Sequence, residues 1–136
     1  MKDLKETVRP FYTLCLTVNA EANVAEIMGN LLADSFQSLS SVEVKSKEQL
    51  TGQVQYFWKL IPDLKWEIQE MFQDGNAVIV RSMAFGSPNG DFMGLPTTGN
   101  KSFNIMTIDI HTVENEKIVT VYHLEDWPTA MRQLKG

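Results

Sequence analysis

Apolar and polar positions change their period once along this chain: they recur at helical spacing up to Pro62 and alternate after it. Val8, Phe11, Tyr12, Cys15, Leu16 and Val18 fall close to one stripe and predict a first helix over 7–18, with Pro10 tolerable near its first turn. Residues 19–23 break the run. Val24, Ile27, Met28, Leu31 and Leu32 then return at spacings of three and four and predict a second helix. The Ser38-Leu39-Ser40-Ser41 stretch reads as a turn. Ser46 with Gln49 three positions on is a capping-box signature, opening a third helix that carries Leu50, Val54, Phe57, Trp58 and Ile61. Pro62-Asp63 ends it.

Past Pro62, Trp66, Ile68, Glu70 and Phe72 alternate with Glu67, Gln69 and Met71, and Asp74-Gly75 turns the chain into an apolar strand over 77–85. Between 86 and 100 stand Gly86, Pro88, Gly90, Gly94, Pro96 and Gly99, which predict a long irregular loop; its Phe92-Met93 tip is a candidate mobile lid. Strands follow over 102–113 and 118–124, then a short helical piece over 130–134. In the first of these strands Phe103, Ile105 and Thr107 lie on one side and Met106, Ile108 and Ile110 on the other. Apolar character on both sides calls for a sheet covered twice, by helices on one face and by a second subunit on the other. Helices followed by a run of antiparallel strands define an α+β class, and 136 residues suit one domain over 1–136.

Composition narrows the function classes. A hydrophobic fraction of 43% and a charged fraction of 21% suit a chain with a buried core. The formal net charge is −5 with scattered lysines and arginines, so no basic stripe is available for nucleic acid or for an anionic membrane surface. The lone cysteine, Cys15, excludes an intrachain disulfide and sits in an apolar run where it reads as a small core residue. The same run could imitate a signal peptide, but Asp3, Glu6, Pro10 and Thr13 do not fit one, and a cytoplasmic location is expected.

Several motifs resemble one family. Ile61-Pro62-Asp63-Leu64, then Asp74-Gly75-Asn76-Ala77-Val78 with Arg81, then Gly94-Leu95-Pro96-Thr97-Thr98-Gly99-Asn100-Lys101, Ile108-Asp109-Ile110 and Lys117-Ile118-Val119 with Tyr122 follow one another in the order of the SnoaL-like polyketide cyclases, also called ester cyclases. Asp126 and Arg132-Gln133-Leu134 complete that order, while Phe11-Tyr12 and 32–36 are similar to the family's helical motifs. The resemblance implies a cone-shaped fold, shared with ketosteroid isomerases and nuclear-transport-factor-two-like proteins, in which a curved antiparallel sheet wraps about three N-terminal helices around an apolar pocket. It also implies a homodimer and a metal-free, cofactor-free aldol or enolisation reaction on a small hydrophobic carbonyl compound. The chain departs from the family at Phe36-Gln37, where a His is common, and at Tyr122, where a Trp is usual. A non-catalytic binding protein for a small hydrophobic molecule is the alternative.

Such chemistry needs a few proton-exchanging groups in an apolar hollow, where burial moves a carboxylate or imidazole toward neutrality. Asp109, His123 and Asp126 are the catalytic candidates, with His111 expected to be more exposed near its strand end. Tyr12, Gln37, Phe57, Trp58, Phe92, Met93 and Tyr122 are the candidate substrate contacts, and no metal ligands are assigned. The structural alternative for Asp109 is an ion pair with Arg81. Hairpin register decides which groups meet: a three-residue loop over 114–116 with a bulge puts Asp109 beside His123, and a two-residue loop pairs it with Tyr122. The resemblance favours the former.

Overall fold

In the computed structural model, which describes residues 3–136, the first apolar stripe forms α1 (Lys5–Pro10) and runs on as a π-helical turn, Phe11–Cys15. Pro10 lies inside this helix and has no N–H to donate, and beyond it the turn widens until the Leu16 N–H reaches the Phe11 carbonyl, five residues back, at 3.0 Å. The wider turn buries Phe11, Tyr12 and Cys15 together. Thr17 locks it to the sheet, donating its hydroxyl to the Tyr12 carbonyl at 2.9 Å and accepting the Trp66 N–H at 3.1 Å. Helix α2 (Val24–Leu31) is capped by Asn23, whose side chain accepts the Glu26 N–H. Helix α3 (Lys47–Leu60) carries the expected capping box, with both the Ser46 and Gln49 bonds made.

The helical reading of 32–36 and the turn at 38–41 are corrected. Residues Leu32–Leu39 form strand β1, which turns back through β2 (Val44–Ser46) into α3. Strands β3 (Lys65–Asp74), β4 (Ala77–Gly86), β7 (Phe103–Glu114) and β8 (Lys117–Glu125) complete a six-stranded sheet in the order β2-β1-β8-β7-β4-β3, and α4 (Trp127–Lys135) ends the chain. Because β1 runs parallel to β8, the sheet is mixed and not wholly antiparallel. Nothing local could reveal that pairing, since β1 waits some eighty residues of chain for its partner.

Two further expectations change. A bulge between Ile68 and Glu70 reverses the alternation of β3, so Phe72 faces outward while Met71 packs on the core. The supposed loop over 86–100 contains a hairpin, β5 (Asn89–Phe92) and β6 (Leu95–Thr98). Met93 and Gly94, both at positive φ, make its tight turn. Phe92 is fully buried, with ring centroids 5.6 Å from Phe103 and 5.7 Å from Trp127, so this segment is anchored in the core and is not a loose lid. Among the described residues, no helix is long and apolar enough to cross a membrane.

The helices cover the face of the sheet that holds Phe103, Ile105, Thr107, Asp109, His111 and Val113 of β7. The opposite face leaves Met106, Ile108, Ile110, Tyr122 and Leu124 exposed.

Candidate active site

Asp109 and His123 are cross-strand partners, but not by the expected loop. The turn has two residues, Asn115 and Glu116, both at positive φ, and pairs Glu114 with Lys117 and Val113 with Ile118. A bulge then inserts Val119 opposite the step between Thr112 and Val113 and moves the register by one, so that Thr112 meets Thr120 and Asp109 meets His123. Without the bulge Asp109 would face Tyr122.

Both side chains enter a cavity of about 80 Å³ between α3 and the covered face of the sheet. Leu50, Val54 and Phe57 of α3, Phe11 and Leu16 from the first helical segment, and Trp66, Val121 and Trp127 give it apolar walls. Its polar groups are Ser38, Lys45, Gln53, Asp109, His123 and Glu125.

Asp109 is 4% exposed and its Oδ2 accepts the Tyr12 hydroxyl at 2.6 Å. Burial pushes its carboxyl up to about 7, and the charge of Glu125 adds to this; the Tyr12 hydrogen bond, the His123 charge and the Leu124 N–H oppose it. The structural alternative fails, because Arg81 pairs with Glu70 at 2.7 Å instead. His111, expected to be exposed, is fully buried on the same face, its Nε2 2.7 Å from the Tyr12 oxygen. Burial alone holds its imidazole down at about 3, so it is neutral. Burial likewise keeps the Tyr12 phenol and the Cys15 thiol, the latter pushed up to about 12, in their neutral forms.

His123 belongs to a second chain of hydrogen bonds. Its Nδ1 lies 2.8 Å from Glu125 Oε2, and the Trp127 indole N–H donates to Glu125 Oε1 at 3.1 Å. The hydrogen bond to the Glu125 carboxylate raises the His123 pKa against a partial desolvation penalty, and engages Nδ1, leaving Nε2 without a hydrogen-bond partner among the described residues. Two proton-carrying groups, both with raised pKa, thus face one hollow: a carboxyl that ionises near neutrality and an imidazole biased toward its cation.

The other expected site residues divide. Phe57 lines the cavity, and Tyr12 sits behind Asp109. Asp126 is exposed and caps α4 by accepting the Thr129 N–H; the Thr129 side chain first, and this N–H after it, hold its carboxyl below the usual range, and it takes no part in the cavity. Gln37 and Tyr122 project to the exposed side of their strands, and Met93 stands exposed at the hairpin turn. Trp58 donates its indole N–H to the Cys15 carbonyl at 2.8 Å and faces a groove on the other side of α3, and Phe92 is core. Glu125 was missed, and His111 was weighed but set aside as exposed, although the alternation carried both, each being two residues from a candidate on the same face. Ser38 and Lys45 had no comparable signal, since β1 and β2 were not foreseen, while Gln53 stands on the foreseen α3 beside Val54. Among the described residues, no group of three His, Cys, Asp or Glu side chains is placed to hold a metal ion.

Comparison with known proteins agrees on the architecture. No curated protein matches the chain. Among solved structures, a candidate SnoaL-like polyketide cyclase from Jannaschia sp. CCS1 superposes with a TM-score of 0.85 at 16% identity, covering 98% of this chain and 92% of that one. IdmH, a candidate polyketide cyclase from Streptomyces antibioticus, gives 0.83 at 21% identity, covering 99% and 100%. A protein of ketosteroid isomerase-like fold from Catenulispora acidiphila DSM 44928, solved with trimethylamine, gives 0.73 at 12% identity, covering 99% and 94%. These likenesses establish a curved α+β fold shared with ketosteroid isomerase-like proteins. The family model described as SnoaL-like polyketide cyclase matches residues 7–134, nearly the whole chain, and with that span this protein belongs to the SnoaL-like polyketide cyclase family.

Proposed function

We propose that the chain is an acid/base enzyme, a cyclase or isomerase that enolises a small hydrophobic carbonyl compound. The observation that carries this reading is the pairing of Asp109 with His123 across one apolar cavity, the first poised near neutrality and the second steadied by Glu125. Ionised Asp109 takes a proton from the carbon beside a carbonyl. In a cyclisation the resulting enolate carbon attacks a second carbonyl carbon, and protonated His123 gives its Nε2 proton to the oxygen that becomes alkoxide. Proton return from Asp109 to His123, through solvent or across the strand pair, restores both groups. A hollow of about 80 Å³ holds only the carbonyl-bearing end of a substrate.

A direct test is exchange of the acidic C–H protons of a hydrophobic 1,3-dicarbonyl probe in D₂O, followed by NMR. The protein should accelerate exchange well above buffer at the same pH. A probe that binds but exchanges at the buffer rate would instead assign the cavity to ligand storage.

We also propose that the exposed face of β7 and β8 joins two copies of the chain. Met106, Ile108, Ile110, Tyr122 and Leu124 form a contiguous apolar strip on strands buried on their other side, which a second copy would cover with a matching strip. Ile108→Glu with Leu124→Lys should turn a dimer into a monomer in analytical ultracentrifugation. A monomeric native protein would refute the pairing.

A further inference from the structure

The groups behind Asp109 form a line: Tyr12 Oη is 2.6 Å from Asp109 Oδ2 and 2.7 Å from His111 Nε2, and His111 Nδ1 is buried without a partner among the described residues. We infer that His111, acting through Tyr12, is a positioning residue that fixes the direction of this line and reserves the other oxygen of Asp109, Oδ1, for proton exchange with the substrate. This rests on the reading of Asp109 as the acid/base group.

The argument is one of proton counting. The Tyr12 hydroxyl has a single proton, and only two arrangements satisfy the line. In one, His111 Nε2–H donates to Tyr12 and Tyr12 donates to Asp109 Oδ2. In the other, a proton on Oδ2 donates to Tyr12 and Tyr12 donates to a bare Nε2, which places the imidazole proton on Nδ1. There it would be a buried N–H with nothing to accept it. A stranded N–H is the rarer and costlier defect, whereas the first arrangement strands only a lone pair.

His111 therefore keeps its proton on Nε2, the Tyr12 proton always points at Oδ2, and Asp109 takes its own proton on Oδ1. The rings hold this geometry: Phe11 and Tyr12 both meet the His111 ring edge-on, at centroid distances of 5.3 and 5.7 Å. The charged groups facing Asp109 are Glu125 and His123 of β8, whose Leu124 N–H also bonds the carboxylate, and Tyr12 reaches it from the first helical segment. Neither Tyr12 nor His111 lines the cavity, so neither touches substrate.

The test needs no substrate and is separate from the role of Asp109. Nitrogen-15 NMR of the imidazoles in the native protein should find His111 neutral and protonated at Nε2 throughout pH 5–8. Carbon-13 titration of the Asp109 carboxyl should show its midpoint rising by about one to two units in Tyr12→Phe, since a donor to the ionised form is lost. His111→Leu should also raise the midpoint, and His111→Gln, which keeps an N–H donor, should restore it. An Nδ1–H tautomer of His111 in the native protein would overturn the inference without any variant having to fold. An Asp109 midpoint unmoved by both Tyr12→Phe and His111→Leu would overturn it as well. A protein that passes these measurements yet exchanges the dicarbonyl probe no faster than buffer would instead fail the enzymatic reading.

Discussion

Asp109→Asn is expected to slow exchange of the dicarbonyl probe by about 10²–10⁴-fold, the usual contribution of a positioned acid/base group, while changing its affinity little. Asparagine keeps the shape of the side chain and can still accept the Tyr12 hydroxyl proton, but cannot hold a proton at any working pH. Unchanged exchange in this variant would remove Asp109 from the mechanism. The same substitution should alter how stability depends on pH. In the fold Asp109 ionises at about 7 against an ordinary 3.8, so its contribution is present below 3.8 and is lost as pH rises through 7. His111 is held at about 3 against 6.5, so its contribution is present above 6.5 and is lost as pH falls through 3. Between about pH 4 and 6 the folded chain gains one proton on Asp109 and loses one on His111, and the two dependences cancel. His123, with its pKa raised, stays protonated in folded and unfolded chains alike in that window. Removing the carboxyl leaves His111 uncompensated, and unfolding free energy from urea titrations should then climb with pH by up to about 1.4 kcal/mol per unit. A profile as flat as that of the native protein would contradict the burial of His111 as a neutral ring.

Phe92→Ala should destabilise the fold by about 3–5 kcal/mol, as for other fully buried aromatic side chains. The ring lies in the core between Phe103 and Trp127, and Phe57 stands 6.3 Å from both Phe92 and Trp127. Because Phe57 and Trp127 also line the cavity, the space left by Phe92 should loosen the wall and weaken probe binding too. A surface lid would behave otherwise: truncating its aromatic residue would change ligand exchange rates and leave stability within about 0.5 kcal/mol. Urea unfolding distinguishes the two.

Legibility followed the range of the interactions involved. The capping box at Ser46 and Gln49 was readable because all its partners lie within four residues. Candidate Asp109 was readable because a carboxylate flanked by Ile108 and Ile110 on an alternating strand must either find partners or shift its pKa, and it does both. The Asp109–His123 pairing was anticipated for a reason that proved wrong: a two-residue turn would have separated them, and a bulge at Val119, with no Gly or Pro to announce it, brought them back. Asp126 and Tyr122 lie outside the cavity for complementary reasons. The first lies one position past the strand, where a helix begins and needs a cap, and the second occupies the opposite face from His123.

The sequence by itself determined the class of the fold, the three helices before the main strands, the apolar character of both sheet faces and the strand on which the acidic group sits, because periodicity and caps act between near neighbours. Tertiary structure alone decided the parallel docking of β1 on β8, the burial of His111 behind Tyr12 and the steadying of His123 by Glu125 and Trp127. Those features depend on segments far apart in the chain meeting in three dimensions, and on register shifts of a single residue, which send a side chain to one face of the sheet or the other.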